Sequence, residues 1–304
     1  MQGAVTIFLI LLLSLLLPGV VNRVRAVLAG RRGVSLYQHI SNLEVLLRKG
    51  AVYSPTATAL FRVAPAVYLA AMVTALLLLP LGYFAPLLSF KGDVVMFCYL
   101  LAAGRVALVL AALDTGSSFE GMGAAREALY GALVEPALMV VAGTLALITG
   151  YASFAAMFSE SAGVGPQLIV AMLLLCYAIF KIYIVEAGRV PADDPRTHLE
   201  LTMIHEVMVL DYTGVDLGLI TLAGWLRNAA LSVLAGNVVA ALVSDSVLVA
   251  MLVTVLVAVA TGVTESLRAR NRLSRNTTYI LTILAVALLV FFVAFLLKMN
   301  IDLA

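Results

Sequence analysis

Eight apolar runs, each close to the ~20 residues that a helix needs to cross the hydrocarbon of a bilayer, recur along the chain. They lie at Gly3–Val21, Thr58–Leu81, Val94–Leu113, Ala132–Tyr151, Gln167–Val185, Leu217–Leu242, Val247–Thr264 and Tyr279–Leu297. The runs arrive too regularly to leave room for a soluble domain, so the 304 residues read as one polytopic membrane domain, 1–304. Composition agrees: 63% of residues are hydrophobic and 12% charged, with a mean hydropathy of +1.09, against about 25% charged in soluble domains. No positive segment precedes the first run, and Arg23 and Arg25 follow it, the reverse of a signal peptide, so it reads as a retained span. Cys98 and Cys176 both lie inside apolar runs. Two thiols support neither a disulfide framework nor an iron–sulfur cluster, which takes about four ligands.

Eight spans put both termini on one side, and the cations decide which. The first, third, fifth and seventh connections, at about 22–57, 114–131, 186–216 and 265–278, hold Arg23, Arg25, Arg31, Arg32, Arg48, Lys49, Arg126, Arg189, Arg196, Arg268, Arg270, Arg272 and Arg275. Those thirteen face two on the other side, Lys91 and Lys298. The long connections are therefore expected in the cytoplasm, and both termini outside, in a multi-pass protein of the cell membrane. In the first connection, SLYQHISNLEVLLRKG spaces Leu36, Ile40, Leu43 and Leu47 helically behind Ser35. This is an amphipathic helix for the membrane surface or a partner. The expected fold is thus all-α: about eight transmembrane helices, a cytoplasmic amphipathic helix and a structured acidic cytoplasmic loop.

A charge at the bilayer centre costs on the order of 3 kcal/mol, so it usually faces a protein interior or a wet cavity. Arg105 is mid-span in the third run, Glu135 lies near the start of the fourth, Lys181 and Glu186 end the fifth, and Arg227 sits in the sixth. Snorkelling or a structural ion pair accounts for Lys181 and Arg227 as well as a functional role does. Glu135 precedes Pro136, whose missing N–H frees the Ala132 carbonyl; such a place either holds water and passes protons or is a kink. In ALDTGSSFEGMGAAREALYG the glycines around Met122 lack the preceding strand, third glycine and lysine of a phosphate loop.

The richest stretch is EAGRVPADDPRTHLELTMIHEVMVLDYTG, Glu186–Gly214. Pro191 and Pro195 push Val190 and Asp194 to extended geometry. Thr197–Glu200 then has capping-box spacing and predicts a helix on which Glu200 and Asp211, three turns apart, share one face and His198 and His205 another. His205-Glu206 lacks a second histidine at Val209, so the zinc-protease signature is absent. Carboxylates held close beside a low-dielectric membrane raise one another's pKa and make poised proton carriers; a solvated acidic loop has the same composition.

Taken together, LDTGSSFEGMGAARE, LVEPAL, EAGRVPADDP, ELTMIHEVMVLDYTG, RRGVSLYQ, LEVLLRK and TESLRAR resemble the quinone-site membrane subunit of complex I, NADH dehydrogenase subunit 1. The resemblance is closer to the homologues of that subunit in formate hydrogenlyase and other group 4 energy-converting [NiFe] hydrogenases. It covers most of the chain. It implies a non-catalytic eight-helix subunit that docks a peripheral redox arm and couples electron transfer there to proton or sodium translocation. The implied partners are hydrogenase-like large and small subunits and iron–sulfur proteins on the cytoplasmic side, and antiporter-like subunits in the membrane. The [NiFe] centre and clusters would sit in those partners, with no cofactor on this chain. Asp114, Glu127, Glu135, Glu186, Asp193, Glu200 and Asp211 match the family's acidic positions and so are the implied proton-pathway residues, with Arg105, Lys181, Arg189 and Arg227 as supporting charges. Two departures weigh against quinone and for the hydrogenase branch: three extra residues between Glu200-Leu201 and Asp211–Gly214, and Asn42 and Val45 where relatives often have Asp and Lys. The remaining readings are a quinone-reducing complex, a secondary transporter, for which no convincing internal repeat is found, and an anchor without coupling.

Overall fold

The computed structural model describes residues 2–159, 169–194, 203–243 and 246–298. Within them the chain forms α1 (Gln2–Leu28), α2 (Gln38–Leu47), α3 (Ala59–Leu77), α4 (Asp93–Asp114), α5 (Ser118–Thr149), α6 (Phe154–Ser159), α7 (Ile169–Glu186), α8 (Gly214–Val243), α9 (Val247–Leu267) and α10 (Leu273–Lys298). All but α2 and α6 are long and apolar enough to cross a membrane, one for each apolar run. Their outer faces carry exposed Leu, Val and Phe, such as Phe8, Leu248, Leu252 and Phe292, which suits lipid rather than water.

Of the spans, α8 is the most enclosed, with 72% of its apolar window inside the protein against 28% for α10. It packs on α1, α2, α3, α7 and α9. From α8 the packing runs to α3, α4, α5, α10 and α7 and returns to α8, with α5 also touching α7. That closed ring matters for the site, because each uncompensated polar side chain in these spans gains by turning inward.

Local starts follow sequence chemistry. Thr58 caps α3 by accepting from the Leu60 N–H (3.2 Å), and Ser246 caps α9 by accepting from Leu248 (3.3 Å). Two details differ from expectation. The amphipathic helix begins after Tyr37 rather than at Ser35 and has no side-chain cap; it lies along α8 with Leu43 buried. The fourth span starts at Ser118 and runs unbroken through Pro136, so the stretch just before the apolar run is helical as well.

The loop from α7 to α8 is also not as expected. The Thr197–Glu200 cap and Glu200 itself fall outside the described residues, but 203–213 are turns with a single 3-10 turn at Val207–Val209. The helix expected through Asp211 does not form there because carboxylates from elsewhere take its N–H donors. Asp193 accepts from Ile204 (3.1 Å) and His205 (3.3 Å), and buried Glu120 accepts from Asp211 (3.0 Å). Further bonds staple the loop: Tyr212 O–H to the Phe61 carbonyl (2.8 Å), with the two rings stacked at 3.9 Å, Arg126 to the Met203 carbonyl (2.9 Å), and Asn276 to the Ala192 carbonyl (2.7 Å).

Candidate functional site: a buried ion-pair chain

Arg105, midway along α4, reaches three carboxylates from two other helices. Its Nε lies 3.1 Å from Glu127 Oε1 and its Nη1 2.7 Å from Glu135 Oε1, while Nη2 pairs with Glu186 Oε1 at the end of α7. Glu186 is shared with Arg227 of α8, whose Nη1 stands 3.4 Å from Oε2 and whose Nη2 donates to the Glu186 main-chain carbonyl. Arg105, Glu127, Glu186 and Arg227 are all buried. The planar guanidinium has five donors in a fixed fork and keeps its charge, so one arginine can hold several carboxylates apart in a fixed array.

The spacing on α5 makes this possible. Glu127, Gly131 and Glu135 recur at i, i+4 and i+8, which places them on one stripe of a helix. Arg105 lies across the gap: a Cβ on Gly131 would come within 2.8 Å of its Cδ. Glycine is the seat of the guanidinium, with a carboxylate above and below. At the far end of this array Glu135 is the least enclosed member, its side chain 36% exposed.

A second segment continues from Glu127 into the α7–α8 loop. His205 Nε2 lies 3.3 Å from Glu127 Oε2 and its Nδ1 3.6 Å from Asp193 Oδ2; Asp193 Oδ1 meets Arg270 at 3.0 Å. Burial opposes ionisation of Asp193, but the His205 hydrogen bond and the His205 and Arg270 charges outweigh it and hold the carboxyl below its usual range. Burial likewise opposes the charged form of His205, yet Glu127 and Asp193 prevail and raise its pKa. Asp193 thus contributes stability that is present above its unfolded pKa of about 3.8 and is lost as pH falls through the lower folded value. His205 contributes stability that is present below about 6.5 and is lost as pH rises through its higher folded value. Limited proteolysis at 203–213 is therefore expected to be slowest in weakly acidic solution and to accelerate on the alkaline side; a pH-independent rate would contradict it. A cavity of about 210 Å³ adjoins Arg105, Glu127, His205 and Arg227, and Leu217 and Trp225 line it too.

Of the expected pathway residues, Glu127, Glu135, Glu186 and Asp193 come together, whereas Asp114 and Asp211 do not join them. Asp114 caps α3 from the end of α4, taking the Thr58 N–H (2.8 Å) and hydroxyl (2.9 Å). Asp211 contributes its backbone N–H to Glu120, and its side chain is exposed. Among the supporting charges, Arg105 and Arg227 are central. Lys181 lies apart, over the rings of Tyr177 and Tyr279 (5.4 and 5.0 Å). Arg189 pairs instead with Glu265 (3.1 Å), which also holds Arg25 of α1 (3.1 Å) and whose side chain is fully enclosed. His205 and Arg270 are members that sequence reasoning missed, as it missed Glu265, which pairs with Arg189 and Arg25. The signal for His205 was present in MIHEVM, a histidine in a mostly apolar patch.

With this geometry in hand, the chain can be set beside known proteins. A family model described as NADH dehydrogenase matches residues 1–296. Hydrogenase-4 component C of Escherichia coli (strain K12) is 33% identical over 215 residues, 69% of this chain and 66% of that protein. Formate hydrogenlyase subunit 4 of the same strain is 32% identical over 205 residues, 67% of this chain and 65% of that protein; the match spans just under two-thirds of each relative. A chain of the membrane-bound sulfane sulfur reductase, an archaeal respiratory membrane complex, has the same fold, with a TM-score of 0.79 over 96% of this chain and 98% of that one at 18% identity. A match over residues 1–296, on eight spans of one fold, settles the family: the chain belongs to the NADH dehydrogenase family of complex I subunit 1-like membrane proteins.

Proposed function

We propose that this chain is the non-catalytic membrane subunit of a hydrogenase or formate hydrogenlyase-like complex, and that it couples electron transfer in a docked redox arm to proton or sodium translocation. The observation that carries the reading is the continuity of the ion-paired chain. Asp193, in the loop that would meet the arm, connects through His205, Glu127 and Arg105 to Glu186 and Glu135 within the spans. A chain of this kind transmits a change of charge at one end to the other, because each member's position and protonation depend on its neighbour's charge. Glu135, fourteen residues or ~21 Å along α5 from Thr149, is partly exposed on a membrane span. A carboxylate so placed calls for a neighbouring membrane subunit, and an antiporter-like partner is the one we assign.

Hydrogenase-like large and small subunits and iron–sulfur proteins would supply the [NiFe] centre and clusters on the cytoplasmic side. The thirteen-to-two bias of cations supports that orientation, with both termini outside the cell membrane. In the assembled complex reconstituted in vesicles, Glu186→Gln and Glu135→Gln are expected to leave electron transfer running while ion movement falls. Unaltered ion movement in both variants would remove the pathway assignment. A quinone-reducing complex is the second reading, favoured by the cavity beside Arg105 and Trp225; inhibition of the purified assembly by quinone analogues would select it.

A further inference from the structure

We infer that His205 is the proton-transferring junction of this chain, taking a proton from the loop carboxylate Asp193 at one ring nitrogen and passing one to the helix carboxylate Glu127 from the other. The inference rests on the coupling function proposed above and names the residue through which it passes.

Three observations support it. First, the links of the chain are chemically unequal. Arg105 joins three carboxylates, and Arg227 and Arg270 pair with Glu186 and Asp193, but a guanidinium does not give up its proton in a protein. Among the described residues, His205 is the group that bridges the two segments and is able to lose and regain a proton near neutral pH. Second, its ring nitrogens are shielded from solvent and close no hydrogen bond among the described residues. Each faces a different carboxylate, Nε2 towards Glu127 at 3.3 Å and Nδ1 towards Asp193 at 3.6 Å. Third, the backbone is shaped around the ring. The His205 N–H is fixed on Asp193, and Gly188, at φ +59°, leaves the space the ring fills: a Cβ there would come 2.7 Å from Nδ1.

The charges around the ring fit a shuttled proton. Glu127 of α5, Glu186 of α7, and Asp193 and Glu206 of the loop face Arg105 of α4, Arg227 of α8 and Arg270 between α9 and α10. Leaving aside exposed Glu206 and adding Glu135, four carboxylates meet three guanidiniums. One proton shared among Asp193, His205 and Glu127 therefore brings the cluster to neutrality. The step balances: a proton on Asp193 bonds to Nδ1 as the Nε2 proton leaves for Glu127, one taken and one released. The imidazole ends neutral as its other tautomer, and exchange of the ring proton from Nδ1 to Nε2 through water in the adjoining cavity restores it.

The test uses the whole membrane complex in vesicles, with electron transfer and ion movement measured separately across pH 6–9, a window of about three units around an imidazole. His205→Gln is expected to keep electron transfer and to lose about 10²-fold in the rate of coupled ion movement, the low end of what a positioned acid–base contributes. In His205→Ala, added imidazole and 4-methylimidazole are expected to restore ion movement, with a pH midpoint that follows the pKa of the added base. A merely structural histidine does not produce that dependence. Undiminished ion movement in His205→Gln, rescue that ignores the base's pKa, or loss of the partner chains on purification of both variants would each overturn the assignment. If Glu186→Gln and Glu135→Gln uncouple and His205→Gln does not, the junction is wrong and the coupling function stands. If none of the three uncouples, the coupling function itself fails.

Discussion

An Arg105→Leu variant is expected to lose about 3–5 kcal/mol of stability, the cost of leaving a buried partner charge uncompensated. Arg105 is the one cation touching both Glu127 and Glu135 in the described residues, and it shares Glu186 with Arg227. Leucine fits an apolar helix as well as arginine does, so helix propensity contributes little and the deficit falls on three carboxylates. Thermal unfolding of the purified protein in detergent measures it. The companion variant Arg105→Leu with Glu186→Gln is expected to recover part of the loss, because one of the orphaned charges has gone; the two singles and the double form a cycle that isolates the pair. A loss below about 1 kcal/mol, the level of a surface ion pair, would show that the cluster is solvated and contradict the enclosed geometry.

Asn237→Leu is expected to cost about 2–6 kcal/mol for a different reason. Near the end of α8, buried Asn237 accepts from the Gly82 N–H (2.9 Å) and donates to the Pro80 carbonyl (2.8 Å). This clamps the α3–α4 connection against the end of a span. Leucine removes both partners at once and leaves a buried N–H and C=O unsatisfied, each worth about 1–3 kcal/mol. Hydrogen exchange at Gly82 reads the effect locally: protection of that amide is expected to fall in the variant while α4 amides keep theirs. Retained protection at Gly82 would mean that another acceptor serves it.

The architecture was legible because its cause is one-dimensional. Twenty consecutive apolar residues specify a span whatever lies beside them, and each of the eight runs became a helix. Pro136 was ambiguous in sequence because the effect of a proline depends on whether neighbours satisfy the freed carbonyl; here α5 continues through it. The helix expected up to Asp211 failed because capping spacing cannot reveal that Asp193 and Glu120 compete for the same N–H groups. At the site, the cost of charge in an apolar run singled out Arg105, Glu135, Lys181, Glu186 and Arg227; the structure places all but Lys181 in one cluster. Pairing was not legible, since it depends on how α4, α5, α7 and α8 are brought together in the ring of helices. His205 was weighed only against a metal motif within its own segment, while one of its partners, Glu127, lies far along the chain. By contrast, the strings that resemble the complex I subunit 1 family were together enough to name it, and the matched family over residues 1–296 bears them out.

The enclosed carboxylate of Glu265 has a consequence for how the protein is made. It binds Arg25, at the end of the first span, and Arg189, in the loop after α7. Arg25 leaves the ribosome 240 residues before Glu265 does, a wait of about 10–50 s at ordinary synthesis rates. Through that interval the first span has neither its carboxylate nor α9, one of its main packing neighbours. The bond to Glu265 thus closes on the finished chain, so that a product truncated before α9 is left with two arginines that lack the carboxylate joining them.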